Sequence, residues 1–222
     1  MSKERLLSAN DKGRYSMNGS RLHGIFLGLL LLLIDQITKL VADAYFNLPG
    51  SPSKIDVIPG WISLCISYNP GIAYGIGQDA SPIVKISVIA LTGVVMLVLS
   101  ILYLCMDRRR SWMRTSLVMI VSGGIGNLID RLYYRVWEIT STAIDRGVRD
   151  MVDLSRFGFA ICNFADFFIC IGAAMMVLSL LFFDRDAMFP IGKKYKALAK
   201  EEEQRLKAKE EAKKAKKQAN NG

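Results

Sequence analysis

The chain has 222 residues, 51% of them hydrophobic, and carries 29 Lys and Arg against 20 Asp and Glu, for a net charge of +9. With a mean hydropathy of +0.26, this composition fits a small integral membrane protein better than a soluble domain. A single histidine, His23, argues against a Ser-His triad and a His-rich metal centre, and Cys65, Cys105, Cys162 and Cys170 show no metal-ligand spacing, so no metal and no cofactor are expected.

Residues 1–21 form a basic N-terminal segment, and residues 22–42 are the first of four long apolar runs. The others are 83–105, 112–129 and 164–183, each close to the roughly 20 residues that cross a bilayer as helix. In the first run Asp35 and Lys39 stand one helical turn apart, acid before base, which extends the helix through Ala42. That favours a retained span over a cleaved leader with Ala42-Asp43-Ala44 as its processing site. The loop 43–82 contains Val57-Ile58, a Pro59-Gly60 turn and the near alternation Trp61 to Tyr68, which predict short strands and a small β-platform. It continues into Asn69-Pro70-Gly71-Ile72-Ala73-Tyr74-Gly75, whose turn-prone and small residues suit either a tight hairpin end or a close backbone approach to a ligand.

The third run ends in Gly123-Gly124-Ile125-Gly126-Asn127-Leu128-Ile129-Asp130-Arg131. Its glycines permit close helix packing, while Asn127, like Asn163 further on, can bond span to span or offer an amide to a substrate backbone. Asp130-Arg131 reads as an ion pair at the helix end. The loop 130–163 carries Tyr133, Tyr134, Trp137, Phe157 and Phe159, the composition of an interfacial aromatic belt. Asn163 and Asp166 then fall at the first turn of the last run, where free backbone amides accommodate negative charge. The tail, 184–222, mixes Glu201-Glu202-Glu203 with Lys213-Lys214-Ala215-Lys216-Lys217 and predicts a solvated helix with a basic end, able in a sharper reading to meet anionic lipid headgroups. No nucleic-acid-binding motif accompanies it.

Most of the 29 basic residues lie before the first run, between the second and third, or after the fourth. The other loops hold Lys54, Arg131, Arg135, Arg146, Arg149 and Arg156. The excess of Lys and Arg on the cytoplasmic side of membrane proteins therefore predicts both termini inside. The fold class expected is an α-helical integral membrane protein with four transmembrane helices, a small extracytoplasmic β-platform and a charged cytoplasmic tail. In this topology the polar residues of the spans, Asp35, Lys39, Asn127, Asp130 and Arg131, fall near the same extracytoplasmic end as Asp153, Asn163 and Asp166.

Charged groups in spans cost roughly 2.5–3.5 kcal/mol by insertion scales unless paired or facing a polar cavity, so their convergence marks a site. Two carboxylates close together in a partly dehydrated site share a proton and can activate water while protonating a leaving amine. Asp153, in Met151-Val152-Asp153-Leu154, and Asp166 are the two acids expected to do so. A transporter would use such charges as an ion path, but the chain has no visible internal repeat.

Five ordered blocks carry a resemblance: Asp35-Gln36-Ile37-Thr38-Lys39, Asn69-x-Gly71-x-Ala73-x-Gly75, Gly123 to Arg131, Val152-Asp153, and Asn163-Phe164-Ala165-Asp166. Together, over about residues 22–183, they resemble the motifs of bacterial lipoprotein signal peptidase, signal peptidase II. The resemblance implies a monomeric aspartyl endopeptidase of the bacterial inner membrane, working among membrane lipids, that cuts prolipoproteins just before a diacylglyceryl-modified cysteine. It implies Asp153 and Asp166 as the dyad, with Asp35, Lys39, Asn69, Gly71, Gly123, Asn127, Asp130, Arg131, Asn163 and Ala165 around them as substrate-binding or supporting residues. The stretch from Arg131 to the second acid is longer than is usual in the family and contains a further acid, Asp150. Asp153 is chosen because Val152 and Leu154 reproduce the apolar flanks of the motif, with Asp150 as the alternative.

Overall fold

The computed structural model of the chain describes residues 3–71, 80–107, 110–138, 146–183, 188–189 and 191–219. Residues 72–75 of the turn-rich block and 139–145 of the second outer loop lie outside them. In chain order the elements are α1 (Lys3–Phe46), β1 (Lys54–Ile58), β2 (Ile62–Asn69), α2 (Pro82–Cys105), α3 (Ser111–Tyr133), β3 (Val148–Asp153), α4 (Phe164–Leu178) and α5 (Gly192–Ala219). The charged tail is thus helical in α5, where Glu203 and Lys207 pair across one turn at 2.7 Å.

Three stretches are long and apolar enough to cross a membrane: Leu22–Phe46, Pro82–Cys105 and Phe164–Phe183. Their outward side chains, among them Leu29, Leu33 and Leu40 on α1, Leu91 and Leu97 on α2, and Ile171 and Val177 on α4, are exposed in the isolated chain. These are the surfaces that a hydrocarbon solvent would cover.

α3 differs from the other three because it is the helix they surround. It packs on α1, α2 and α4; the first half of its buried face includes Met113, Leu117 and Val118, while the second half is small or polar: Ser122, Gly123, Gly124, Gly126, Asn127 and Asp130. Small residues let backbones approach without a side chain between them. A Cβ on Gly123 would lie 2.3 Å from the Ala165 carbonyl oxygen of α4, and one on Gly126 would lie 2.4 Å from Asp35 Oδ2 of α1. Gly123→Ala is therefore expected to destabilise the protein by about 1–3 kcal/mol, the range for overpacking a tight contact, read as a lower melting temperature in detergent.

The platform is a three-stranded antiparallel sheet in the order β1-β2-β3. β1 and β2 are the strands predicted by alternation, joined through the Pro59-Gly60 turn, where Gly60 has φ +76°. β3 was not anticipated. It carries charge at half its positions, yet all six of its residues are buried, because β2 flanks it on one edge and Cys162 bridges to Val152 on the other. Its pairing with β2 is irregular, passing from Leu64↔Val152 to Ser67↔Asp150, so an extra residue of β2 bulges beside Asp150. The four cysteines are free.

Candidate active site

The site begins at the N-terminus of α4, which Asn163 caps. Its side-chain oxygen accepts from Asp166 N at 3.1 Å, and the Asp166 carboxylate accepts from Asn163 N at 3.1 Å. This reciprocal pair is a capping box, which satisfies two otherwise orphaned amides and holds Asp166 in a fixed orientation. The other oxygen of Asp166 accepts from Asn127 Nδ2 of α3 at 2.8 Å.

Asn127 is oriented in turn from α1. Its Oδ1 accepts from Lys39 Nζ at 2.9 Å and from Asn163 Nδ2 at 3.1 Å. Lys39 also reaches Asp35 at 2.9 Å and Asp130 at 3.4 Å, and all three charged groups are completely buried. Asp35 is tied onward to α4, where Ala165 N donates to its Oδ1 at 2.9 Å. Three helices thus meet through one buried polar network in which each charge has a partner, the condition for tolerating charge in a low-dielectric interior.

The sheet adds the second carboxylate. Asn163 Nδ2 donates to Asp150 Oδ1 at 2.6 Å, so one asparagine bonds Asp150 with its amide nitrogen and Asp166 with its oxygen and backbone. Asn69, at the end of β2, also hydrogen-bonds Asp150, and its oxygen accepts from Gly71 N at 2.9 Å. Burial first, and the negative charge of Asp166 second, push the Asp150 carboxyl up to about 7, against the opposing effects of Asn163, Lys39 and Asn69.

Asp153 is in a different environment. Its side chain accepts from Lys54 Nζ of β1 at 2.7 Å, from Ser155 N at 2.9 Å and from the Ser155 hydroxyl. The Lys54 bond, reinforced by Ser155, holds its carboxyl down at about 2. The expected pairing of Asp153 with Asp166 is therefore not what the structure brings together, and the reason is parity. Residues of a strand alternate between faces, so two acids three positions apart point to opposite sides. Apolar neighbours on both sides of Asp153 reported that the strand is buried but carried no information about which face meets α4.

The expected Asp130-Arg131 ion pair is also absent, because consecutive residues of a helix do not face each other. Asp130 turns to Lys39 and to Arg149. Arg131 donates to the carbonyls of Asn127 and Gly71, each at 3.3 Å, and so ties α3 to the end of β2. The other expected residues fall into one connected region, with Asp35, Lys39, Asn127, Asn163, Ala165 and Asp166 in the network, Asn69 and Gly71 at its edge, and Gly123 as a packing contact beneath Ala165. Arg149 was missed altogether.

One residue at the start of α4 thus donates to both carboxylates, from its side-chain amide to Asp150 and from its backbone N–H to Asp166. A solved bacterial membrane enzyme shares the fold, with a TM-score of 0.58 and 22% identity, covering 72% of this chain and 87% of that one. The family described as signal peptidase (SPase) II matches residues 27–182. A lipoprotein signal peptidase of Fusobacterium nucleatum is 33% identical over 163 residues, spanning 72% of this chain and 87% of the relative. That of Streptococcus thermophilus is 34% identical over 155 residues, spanning 68% and 88%. The chain belongs to the signal peptidase II family and is an aspartic endopeptidase.

Proposed function

We propose that the protein removes signal peptides from prolipoproteins by cutting on the N-terminal side of a diacylglyceryl-modified cysteine, with water activated between Asp150 and Asp166. The observation that carries this reading is Asn163, which donates to both carboxylates at 3.1 Å or less, to Asp150 through its side-chain amide and to Asp166 through its backbone N–H. The relatives named lipoprotein signal peptidase supply the substrate class.

The pair works with one proton, held on Asp150, whose carboxyl is pushed up to about 7 by burial and by the charge of Asp166. Asp150, buried and facing the charge of Asp166, starts as the acid. Asp166 takes a proton from water as the water oxygen attacks the scissile carbonyl, while Asp150 gives its proton to the carbonyl oxygen. In the collapse of the tetrahedral intermediate Asp166 returns its proton to the departing amine of the lipidated cysteine, and Asp150 recovers its own from the intermediate's hydroxyl. The C–N bond breaks, and the pair ends with the single proton it began with.

In this reading α3 is the fourth span. Its 23 residues make a helix about 34 Å long, enough for a hydrocarbon core of roughly 30 Å, and its polar face meets protein rather than lipid. The distribution of Lys and Arg supports both termini in the cytoplasm and the sheet and dyad at the extracytoplasmic surface of the inner membrane, among its lipids. A substrate held there by its acyl chains would present its cleavage site at that depth. Every group named in the mechanism comes from one chain, which suits a monomer.

The test is turnover of a diacylglyceryl-modified precursor peptide by the purified protein between pH 5 and 9. Ionisation of Asp150 removes the acid, so the rate is expected to fall as pH rises, with a midpoint near the value of about 7 set by its burial and by Asp166. Folding stability has the same sign. The unfolded carboxyl ionises near 4 and the folded one near 7, so stability declines across that window. A rate that stays level to pH 9, or no cleavage of the lipidated peptide, would sink the proposal.

A further inference from the structure

Arg149 immediately precedes Asp150 on β3 and grips one carboxylate at two points. Its backbone N–H donates to Asp130 Oδ2 at 3.0 Å, and its guanidinium Nη2 donates to Asp130 Oδ1 at 2.7 Å. Both residues are buried, Arg149 at 4% exposure and Asp130 at 0%. A guanidinium is costly to bury, and the mechanism above does not use this one, since strand alternation turns it away from the face that carries Asp150.

The surroundings of Arg149 form a socket built from three other elements. The ring of Tyr134, the residue that follows α3, lies 5.6 Å from the guanidinium carbon, and Asp43 of α1 is 3.9 Å from Nη1. Asp43 accepts from the hydroxyl of Tyr68, which is the β2 residue paired with Arg149 across the sheet. On its far side Asp130 takes Lys39, which reaches the Asn127 that holds Asp166. An unbroken polar path therefore runs from the backbone of residue 149 to the second carboxylate.

The ladder between β2 and β3 is irregular between Leu64 and Ser67, directly beside Asp150, so the regular sheet hydrogen bonding is interrupted there and contacts from outside the sheet help to hold the strand. We infer that Arg149 is a positioning residue, whose clamp on Asp130 fixes β3 against α3 and with it the separation of Asp150 from Asp166. The inference rests on the Asp150–Asp166 reading of the dyad.

Arg149→Met, Arg149→Lys, Asp150→Asn and Asp153→Asn in the full-length protein test it, with kcat and KM for the lipidated precursor peptide measured separately and scaled to the folded fraction found by thermal unfolding. Displacing a reacting group by about 1 Å costs on the order of 100-fold in rate. Arg149→Met is therefore expected to lower kcat by roughly 30- to 100-fold with KM held within about twofold, and Arg149→Lys to recover kcat to within about tenfold of wild type. An unchanged kcat in Arg149→Met, or a lysine variant no better than methionine, overturns the clamp. If Arg149→Met yields no folded protein, Arg149→Lys decides alone: a several-fold lower kcat at unchanged KM supports the clamp, and wild-type kcat removes it. Full turnover by Asp150→Asn together with loss in Asp153→Asn refutes the dyad and takes the clamp with it. An inactive Asp150→Asn beside an unaffected Arg149→Met refutes the clamp only.

Discussion

Asp150→Asn and Asp166→Asn are each expected to lower turnover of a lipidated precursor by on the order of 1,000-fold or more, whereas Asp153→Asn retains it within about threefold. Asparagine matches aspartate in size, so the substitutions leave the bundle packed while removing the group that holds or accepts the proton. At Asp166 the change also replaces an acceptor oxygen with a donor NH2. Both of its oxygens accept N–H donors, Asn127 Nδ2 at 2.8 Å and Asn163 N at 3.1 Å, so one of the two bonds is lost as well. Asp153→Asn weakens a pair whose lysine side chain is 48% exposed, and solvent screens a pair placed there. The comparison separates the two acids cleanly. An inactive Asp153→Asn beside an active Asp150→Asn would return the catalytic role to Asp153.

Lys39→Met is expected to be the most destabilising single change in the buried network. It leaves Asp35 at 0% exposure without its cation, leaves Asp130 with Arg149 alone, and leaves Asn127 Oδ1 short of a donor. Removing one partner of a buried ion pair costs about 3–5 kcal/mol. In a domain of this size that lowers the melting temperature by roughly 10 °C or more. Turnover should fall with it, because Asn127 loses the contact that orients it toward Asp166. Adding Asp35→Asn to Lys39→Met removes the stranded charge and should restore part of the lost stability. A melting temperature for Lys39→Met within about 2 °C of wild type would mean that the network contributes far less than its burial implies.

Three of the four apolar runs, 22–42, 83–105 and 164–183, were legible because a helix of bilayer length needs only a count of apolar residues, and β1 and β2 were legible from Val57-Ile58, the Pro59-Gly60 turn and the alternation in Trp61 to Tyr68. The central position of α3 was not, since Gly123, Gly124, Gly126 and Asn127 acquire their meaning only from the helices that close on them. β3 escaped because burial on both sides erases alternation, and Val148, Met151 and Val152 share the strand with three charges. Once a strand is assumed, the three-residue offset between Asp150 and Asp153 puts the two acids on opposite faces, but only the partner helix decides which face matters. The long-range partners of Arg149, on α1 and α3, leave no trace in local sequence. Asp35, Lys39, Asn127 and Asn163 were found by a different signal, the improbability of polar side chains where hydrocarbon is expected.

The bond from Ala165 N to Asp35 Oδ1 joins residues 130 positions apart, and it bears on how the protein is made. One of the free amides at the start of α4 is satisfied by an acid of α1, a helix made well before it, and Asp166 comes within α4 itself. A nascent chain that has delivered α1, the sheet and α3 therefore holds one carboxylate and an incomplete network. Under the proposed mechanism, proteolytic competence arrives only when α4 docks on the helices made before it.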